Sequence, residues 1–243
     1  MRGVDEYEAG HLAGSRPIPG GQLVQTTDAV IGIRNARAVL IDDTGVRATM
    51  TAAWLVEMGW PEVATYRLDP EADEIETGAW EPVVLGLEEA AARSVGADEL
   101  AAGLADGTMV AVDLGGSRAY LAGHVPGAAF ALRSRLDGAL ERLPAADTVV
   151  LISSDGRLAR LAAAGRGGRF AYLEGGTEAW TAAGMPLAEG EESMLDSTDD
   201  VWLRPYDRGG DVAQAMNAYL EWELQLVEQV EADGTARFRR FDG

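Results

Sequence analysis

Val149-Val150-Leu151-Ile152-Ser153-Ser154-Asp155-Gly156-Arg157 reads as a buried strand, a short polar turn and the start of a helix. Val39-Leu40-Ile41-Asp42-Asp43-Thr44-Gly45-Val46-Arg47 reads the same way. A short apolar run bounded by turn residues is strand-like, and a glycine just ahead of a helix start suits a tight turn. Asp42 and Ser153 stand at the same place in the two copies, at the junction of strand and turn.

The duplication extends outward from these loops. Tyr7-Glu8-Ala9-Gly10-His11-Leu12-Ala13-Gly14-Ser15 returns as Tyr120-Leu121-Ala122-Gly123-His124-Val125-Pro126-Gly127-Ala128. His11 precedes Asp42 by 31 positions and His124 precedes Ser153 by 29, after which each copy shows a helix, a strand and a Gly-to-Trp element. Those closing elements are Gly78-Ala79-Trp80 and Gly175-Gly176-Thr177-Glu178-Ala179-Trp180. Repetition of landmarks in fixed order marks an internal repeat, and alternating helix and strand signals point to a parallel sheet covered by helices.

Within the first copy the spacing predicts a helix from Arg47 to Met58 with Met50, Ala53, Trp54 and Met58 on one face, capped by Gly59, then the strand Val63-Ala64-Thr65-Tyr66. The second copy has a shorter helix over Leu158–Ala164, a turn from Gly165 to Arg169 and the strand Phe170-Ala171-Tyr172-Leu173. Glu81 to Ala97 reads as the connection between the copies, and the acidic stretch from Glu189 to Asp200 as a second boundary. Beyond it Asp211 and Gln214 form a capping pair. Val212, Ala215, Tyr219, Trp222, Leu226 and Val230 then recur every three or four residues, the stripe of one long amphipathic helix, most simply a packing face against the second domain, with a dimer contact as the alternative.

The bulk numbers bound the function. The chain of 243 residues is long enough for two ordinary domains. Its net charge of −20, from 20 basic and 40 acidic residues, repels nucleic acid and anionic lipid, so neither is an expected partner. Small anions would be repelled too unless Arg133, Arg135, Arg157 and Arg160 gather into a local cluster. The N-terminus is acidic and lacks an apolar signal region, and no apolar stretch approaches membrane-spanning length, so the chain reads as cytoplasmic. There is no cysteine.

The Tyr-x-x-Gly-His-hydrophobic-x-Gly element, the strand-loop-helix with Gly45 and Arg47, and the closing Trp80 or Trp180 are three separate matches in fixed order. Together they resemble the rhodanese, or sulfurtransferase, superfamily over both copies. The resemblance implies α/β domains in which a catalytic cysteine lies at the base of a six-residue loop whose backbone amides bind sulfur or its oxyanion donor. It also implies, for tandem members, an inactive first domain that often carries aspartate in place of the cysteine. Asp42 fits that pattern and Ser153 departs from the catalytic one. By the same resemblance Asp43, Thr44, Gly45, Val46 and Arg47 form the first anion cradle, and Ser154, Asp155, Gly156, Arg157 and Leu158 the second. His11, His124, Trp80 and Trp180 take structural roles.

The expected architecture is therefore α/β: two tandem rhodanese-like domains, over 1–88 and 94–190, each a parallel sheet flanked by helices, and a C-terminal helical extension over 196–243. In the second copy Met109-Val110-Ala111-Val112-Asp113 is a strand ending eleven residues before His124. Its equivalent before His11 would fall ahead of Met1, so the first domain is expected to lack its N-terminal strand and the chain to be the C-terminal part of a longer protein or a product with a displaced start.

A persulfide carrier needs a polarisable thiolate, which neither a carboxylate nor an unactivated hydroxyl supplies. The expected function is a catalytically inactive tandem module with a scaffolding or regulatory role, its partner an upstream active rhodanese domain or another sulfur-metabolism protein. Two alternatives stand beside it. One is a thiosulfate or 3-mercaptopyruvate sulfurtransferase whose cysteine lies in an upstream domain. The other is an oxyanion sensor using the neutral Ser153 loop, in which Asp155 opposes a bound anion and Arg157 and Arg160 favour one. A serine-hydrolase reading of Ser153 would need His11 or His124 as its base. An aspartyl-phosphate reading of Asp42-Asp43 would need magnesium and a lysine that cannot be placed. Two distant histidines and scattered acids lack metal-ligand spacing, the acid run from Asp69 to Glu76 reads as a solvated loop, and no cofactor is implied.

Overall fold

The computed structural model describes residues 1–234 and divides into two units, one of Met1–Pro82 with the segment from Asp211 onward, the other Val83–Gly210. In the first unit α1 (Val4–Ala9) leads into β1 (His11–Leu12), followed by α2 (Gly20–Gln25), α3 (Thr27–Val30), β2 (Ala38–Asp42), α4 (Val46–Glu57), β3 (Val63–Arg67) and β4 (Ile75–Glu76). β2 and β3 pair in parallel from Ala38↔Val63 to Asp42↔Arg67, and β1 pairs antiparallel with β4. The core gathers Leu23, Ala38, Leu40, Ala48 and Leu55. β2 thus buries alternate residues, leaving Val39 exposed, as a strand covered on one face does.

The face of α4 differs from the one expected. Ala48, Thr51 and Leu55 are buried, whereas Met50 and Trp54 are exposed. The reason is the close approach of α2: a Cβ placed on Gly20 would come within 2.1 Å of Thr51 Oγ1. At that point α4 presents Thr51, with Ala48 and Leu55 on the same buried face, and Met50 and Trp54 turn outward.

The second unit holds β5 (Arg93–Val95), α5 (Ala97–Asp106), β6 (Met109–Asp113), α6 (Ser117–Ala122), β7 (Ala129–Phe130), α7 (Leu136–Leu140), β8 (Thr148–Ile152), α8 (Arg157–Ala163), β9 (Phe170–Leu173) and α9 (Gly176–Ala182). Its sheet has the order β5-β9-β8-β6-β7, with every pairing parallel. All five residues of β8 are buried. Val150 and Ile152 join one core with Leu100, Leu173 and Trp180, while Val149 and Leu151 join another with Leu136, Ala159 and Ala162. Helices on both faces explain why this strand reads as a continuous apolar run rather than an alternation. β5 lies inside the stretch expected to be connection. It is three residues long, with Arg93 and Ser94 exposed, and it exists through pairing with β9 rather than through a pattern of its own.

The C-terminal helix is also not one piece. α10 (Val212–Leu224) and α11 (Leu226–Asp233) meet at Gln225, whose N–H donates to Trp222 O at 3.1 Å, a tighter bond that interrupts the α-helical ladder. Asp211 caps α10 by accepting from the Ala213 and Gln214 N–H groups at 2.8 and 3.2 Å. The expected packing stripe is not buried: Val212 and Trp222 are exposed, and Ala215, Tyr219, Leu226 and Val230 are half-buried. Residues 235–243 of the expected extension lie outside the described residues. Among the described residues no helix is long and apolar enough to cross a membrane.

Among the described residues β8 has a parallel partner on each side and β2 on one side only, so their amides are held unequally. Native-state hydrogen exchange should show Val149–Ile152 exchanging at least about tenfold more slowly than Val39–Asp42. Equal protection would show that the second edge of β2 is covered in solution.

Candidate functional site

The two strand-to-helix loops share one frame. Gly45 and Gly156 precede their helices with φ of 82° and 80°, a left-handed conformation that glycine adopts without strain. Six residues after the nucleophile-equivalent position, the first buried amide of each helix points back at it. Ala48 N–H donates to Asp42 Oδ2 at 2.9 Å, and Ala159 N–H donates to Ser153 Oγ at 3.2 Å. This pairing sets Arg47 against Leu158 and Val46 against Arg157.

In the first loop Asp42 is completely buried. Besides Ala48, its carboxylate accepts from the Thr44 N–H at 2.7 Å and the Thr44 hydroxyl at 2.9 Å. Burial alone would push this carboxyl up, but the hydrogen bonds from Ala48, Thr44 N–H and Thr44 Oγ1 hold it well below the usual carboxylate range. Arg47 binds the loop from outside, reaching Glu6 of α1 and Asp43 at 2.8 Å each and standing 3.8 Å from Asp42. The cradle is filled by the chain's own anion. Asp42 has no exposed oxygen with which to attack a substrate, and Asp43 is tied to Arg47.

In the second loop Ser153 is 4% exposed. Asp155 Oδ1 accepts from the Arg157 N–H at 2.9 Å, and its other oxygen pairs with the Arg157 guanidinium at 3.0 Å. The loop's own carboxylate therefore takes one amide at the helix start and the nearest cation. What holds the loop in place escaped the sequence reading: α9 starts against it, with Thr177 N–H donating to Ser153 O and Glu178 N–H to Ser154 O at 3.1 and 3.0 Å. A Cβ on Gly176 would lie 1.9 Å from Ser153 O, and one on Gly156 would lie 2.9 Å from Leu173 O. The available signal was the Gly175-Gly176 pair, since adjacent glycines mark close backbone approach.

Three of the four Arg residues are committed to acceptors of the chain itself. Arg135 is committed to Asp199 through two bonds of 3.1 and 2.8 Å, Arg157 to Asp155, and Arg160 to Ala90 O at 2.9 Å. Each finds a nearer acceptor than a shared anion in a chain where acids outnumber bases two to one.

The histidines occupy matching positions. His11 and His124 stack on Tyr7 and Tyr120 at 3.7 Å between ring centres. Their Nδ1 atoms bond the tyrosine carbonyls at 2.8 and 2.7 Å. His124 Nε2 meets Glu192 at 3.2 Å, so both its ring nitrogens are engaged and neither is directed to Ser153 as a base. The tryptophans diverge. Trp180 is buried, its indole N–H donating to Pro186 O at 2.7 Å, whereas Trp80 is 37% exposed under the Arg16 guanidinium. No helix corresponding to α9 forms around Gly78, whose N–H instead donates to Glu8 O, so Trp80 has no core to enter. In the acid run Asp73 accepts from the Tyr66 hydroxyl and the Asp69 N–H, closing a turn. Among the described residues no group of three or more His, Cys, Asp or Glu side chains is placed to hold a metal ion.

Residues 1–69 and 96–183 match the model of the rhodanese-like domain family. Among solved structures the chain is similar to a thiosulfate sulfurtransferase from Pseudomonas aeruginosa, at 43% identity and a TM-score of 0.86 over 99% of this chain and 46% of that one. The chain thus spans about half the length of that relative. A rhodanese-related protein from Thermoplasma volcanium is 19% identical over 40% of this chain and 97% of its own, with a TM-score of 0.35. The rhodanese-like domain of an Anabaena protein is 25% identical over 45% of this chain and 89% of its own, with a TM-score of 0.34. No curated protein sequence matches the chain.

Asp42→Asn tests the first loop. The amide would turn an NH2 group toward one of the donors that the carboxylate now accepts from, so unfolding free energy should fall by about 1–3 kcal/mol. Because the folded carboxyl titrates below its unfolded value of about 3.9, its contribution is complete above about pH 4 and is lost as pH falls toward the folded value. Denaturant unfolding between pH 7 and 3 should show this acid loss in the native protein and less of it in the variant.

Proposed function

The chain belongs to the rhodanese-like domain family, and from that membership and its lack of a thiol we propose that it is a non-catalytic rhodanese-like module within a larger sulfurtransferase-type protein, with a scaffolding or regulatory role. One observation carries the reading: the two positions where persulfide chemistry would start hold a buried, internally bonded carboxylate and a buried serine. Sulfur transfer requires a nucleophile that can accept a sulfane sulfur and release it. A carboxylate held below its ordinary pKa is a poor nucleophile, and Ser153 has no base beside it.

The larger setting is supported by the thiosulfate sulfurtransferase from Pseudomonas aeruginosa, of which this chain matches 46%. On this reading any sulfurtransferase activity of the whole protein uses a cysteine outside these 243 residues, and an active rhodanese domain of the same protein is the first partner to seek. The first unit is then a rhodanese-like domain without its first strand, since β2 pairs only with β3 while its counterpart β8 pairs with both β6 and β9. Oxyanion sensing by the second loop is less well supported, because Asp155 already occupies the Arg157 amide and guanidinium.

Purified chain mixed with thiosulfate and cyanide should form thiocyanate at the rate of the protein-free control. Protein-dependent turnover would overturn the reading. Ser153→Cys should yield a thiol with a pKa below the ordinary value of about 8.5, because the Ala159 amide points at the side-chain atom. The pH dependence of iodoacetamide alkylation measures it, and a thiol no more acidic than free cysteine would show that the cradle no longer activates a nucleophile.

A further inference from the structure

Residues 113 positions apart correspond through the opening of each copy, and the side chains follow that register closely. Tyr7 and Tyr120 stack on their histidines at the same 3.7 Å, and their hydroxyls donate to the corresponding carbonyls of Ser15 and Ala128 at 2.6 and 2.8 Å. The same register sets Gly10 against Gly123 and Arg2 against Gly115. In the first unit the Arg2 guanidinium donates to Gly10 O. In the second unit Gly115 offers no side chain, and a cavity of about 490 Å3 opens there, lined by both Gly115 and Gly123.

Most of the surface lining the cavity is apolar, and its small polar part carries acidic groups. Asp113 lines it and is 4% exposed. Among the described residues its carboxyl makes a single hydrogen bond, from the Gly115 N–H to Oδ1 at 2.7 Å, leaving Oδ2 without a partner. The lining also includes Ser154, Thr177, the exposed Glu178 and Thr181, whose hydroxyl already donates to Thr177 O at 2.9 Å, and among the described residues no basic side chain. Burial raises the Asp113 carboxyl above its ordinary value, against the opposing effects of the Gly115 N–H and of His124.

We propose that this cavity binds the guanidinium group of a small cationic ligand, which donates to Asp113 Oδ2 and to the Gly123 carbonyl in the place that Arg2 takes against Gly10 in the first unit. A planar fork of N–H donors suits a carboxylate beside a carbonyl better than a point-like ammonium does. The apolar Ala119 and Ala182 leave room for a short aliphatic stem. The inference rests on the second unit's geometry and holds whether or not the Ser153 loop is inactive.

Methylguanidinium at low millimolar concentration, with neutral N-methylurea as its isostere, is the probe. Amide resonances of Gly115 and Gly123 in the full chain should shift saturably with methylguanidinium and not with N-methylurea. Asp113→Asn should weaken binding at least about tenfold, the worth of one charge-assisted hydrogen bond. Gly115→Arg, which supplies the guanidinium from the chain itself, should abolish it, whereas Gly115→Ala, which brings the same Cβ within 2.9 Å of Asp113 Oδ1 but no guanidinium, should retain it. An equal response to N-methylurea, undiminished saturation in Asp113→Asn or Gly115→Arg, or loss of binding in Gly115→Ala overturns the proposal. If Asp113→Asn does not fold, the discrimination between the two probes and the Gly115→Arg result decide it alone.

Discussion

A helix that begins directly behind a strand leaves its first N–H groups without acceptors inside the helix. In both loops the side chain at the strand's end supplies one. Asp42 answers Ala48 and Ser153 answers Ala159. The position that would carry a reactive sulfur is thus also the position that satisfies a buried amide, and the two demands are separable. Carboxylate and hydroxyl both meet the structural demand, so the loop keeps its shape without a thiol. An apolar side chain there would orphan a buried donor. The scaffold needs an acceptor, whether or not it needs a nucleophile.

The parts of the fold that could be read from sequence are those whose local pattern and tertiary surroundings agree. β8 is an apolar run because both of its faces are covered, and Phe170–Leu173 and the short helix behind the second loop follow for the same reason. α4 misleads because it carries two apolar faces. Hydrophobicity favours Met50 and Trp54, whereas the face in the core carries Ala48, Thr51 and Leu55, with Thr51 at the close approach of Gly20. β5 has no pattern to read, since its pairing with β9 makes it a strand. The break at Gln225 leaves no mark on the periodicity at all.

At the site the same division holds. Residues that act through contacts within their own segment were legible: the Tyr–His pairs reproduce each other's geometry because each is complete within five residues. Residues whose role depends on a distant segment were not. Trp80 and Trp180 end matching motifs, yet only Trp180 has an α9 to carry it into the core. The contact of that helix with the second loop, through Gly176, is equally invisible from either segment alone.

The buried carboxylate of Asp42 can also be viewed as a tethered competitor. A group attached to the loop it occupies acts at an effective concentration on the order of millimolar or above, and no dilution removes it. A free anion meeting the first loop must displace that group from the donors holding it, then leave a charged carboxylate buried without them. The first loop carries its own occupant wherever the chain goes, and the amides that hold it are spoken for before any solute arrives.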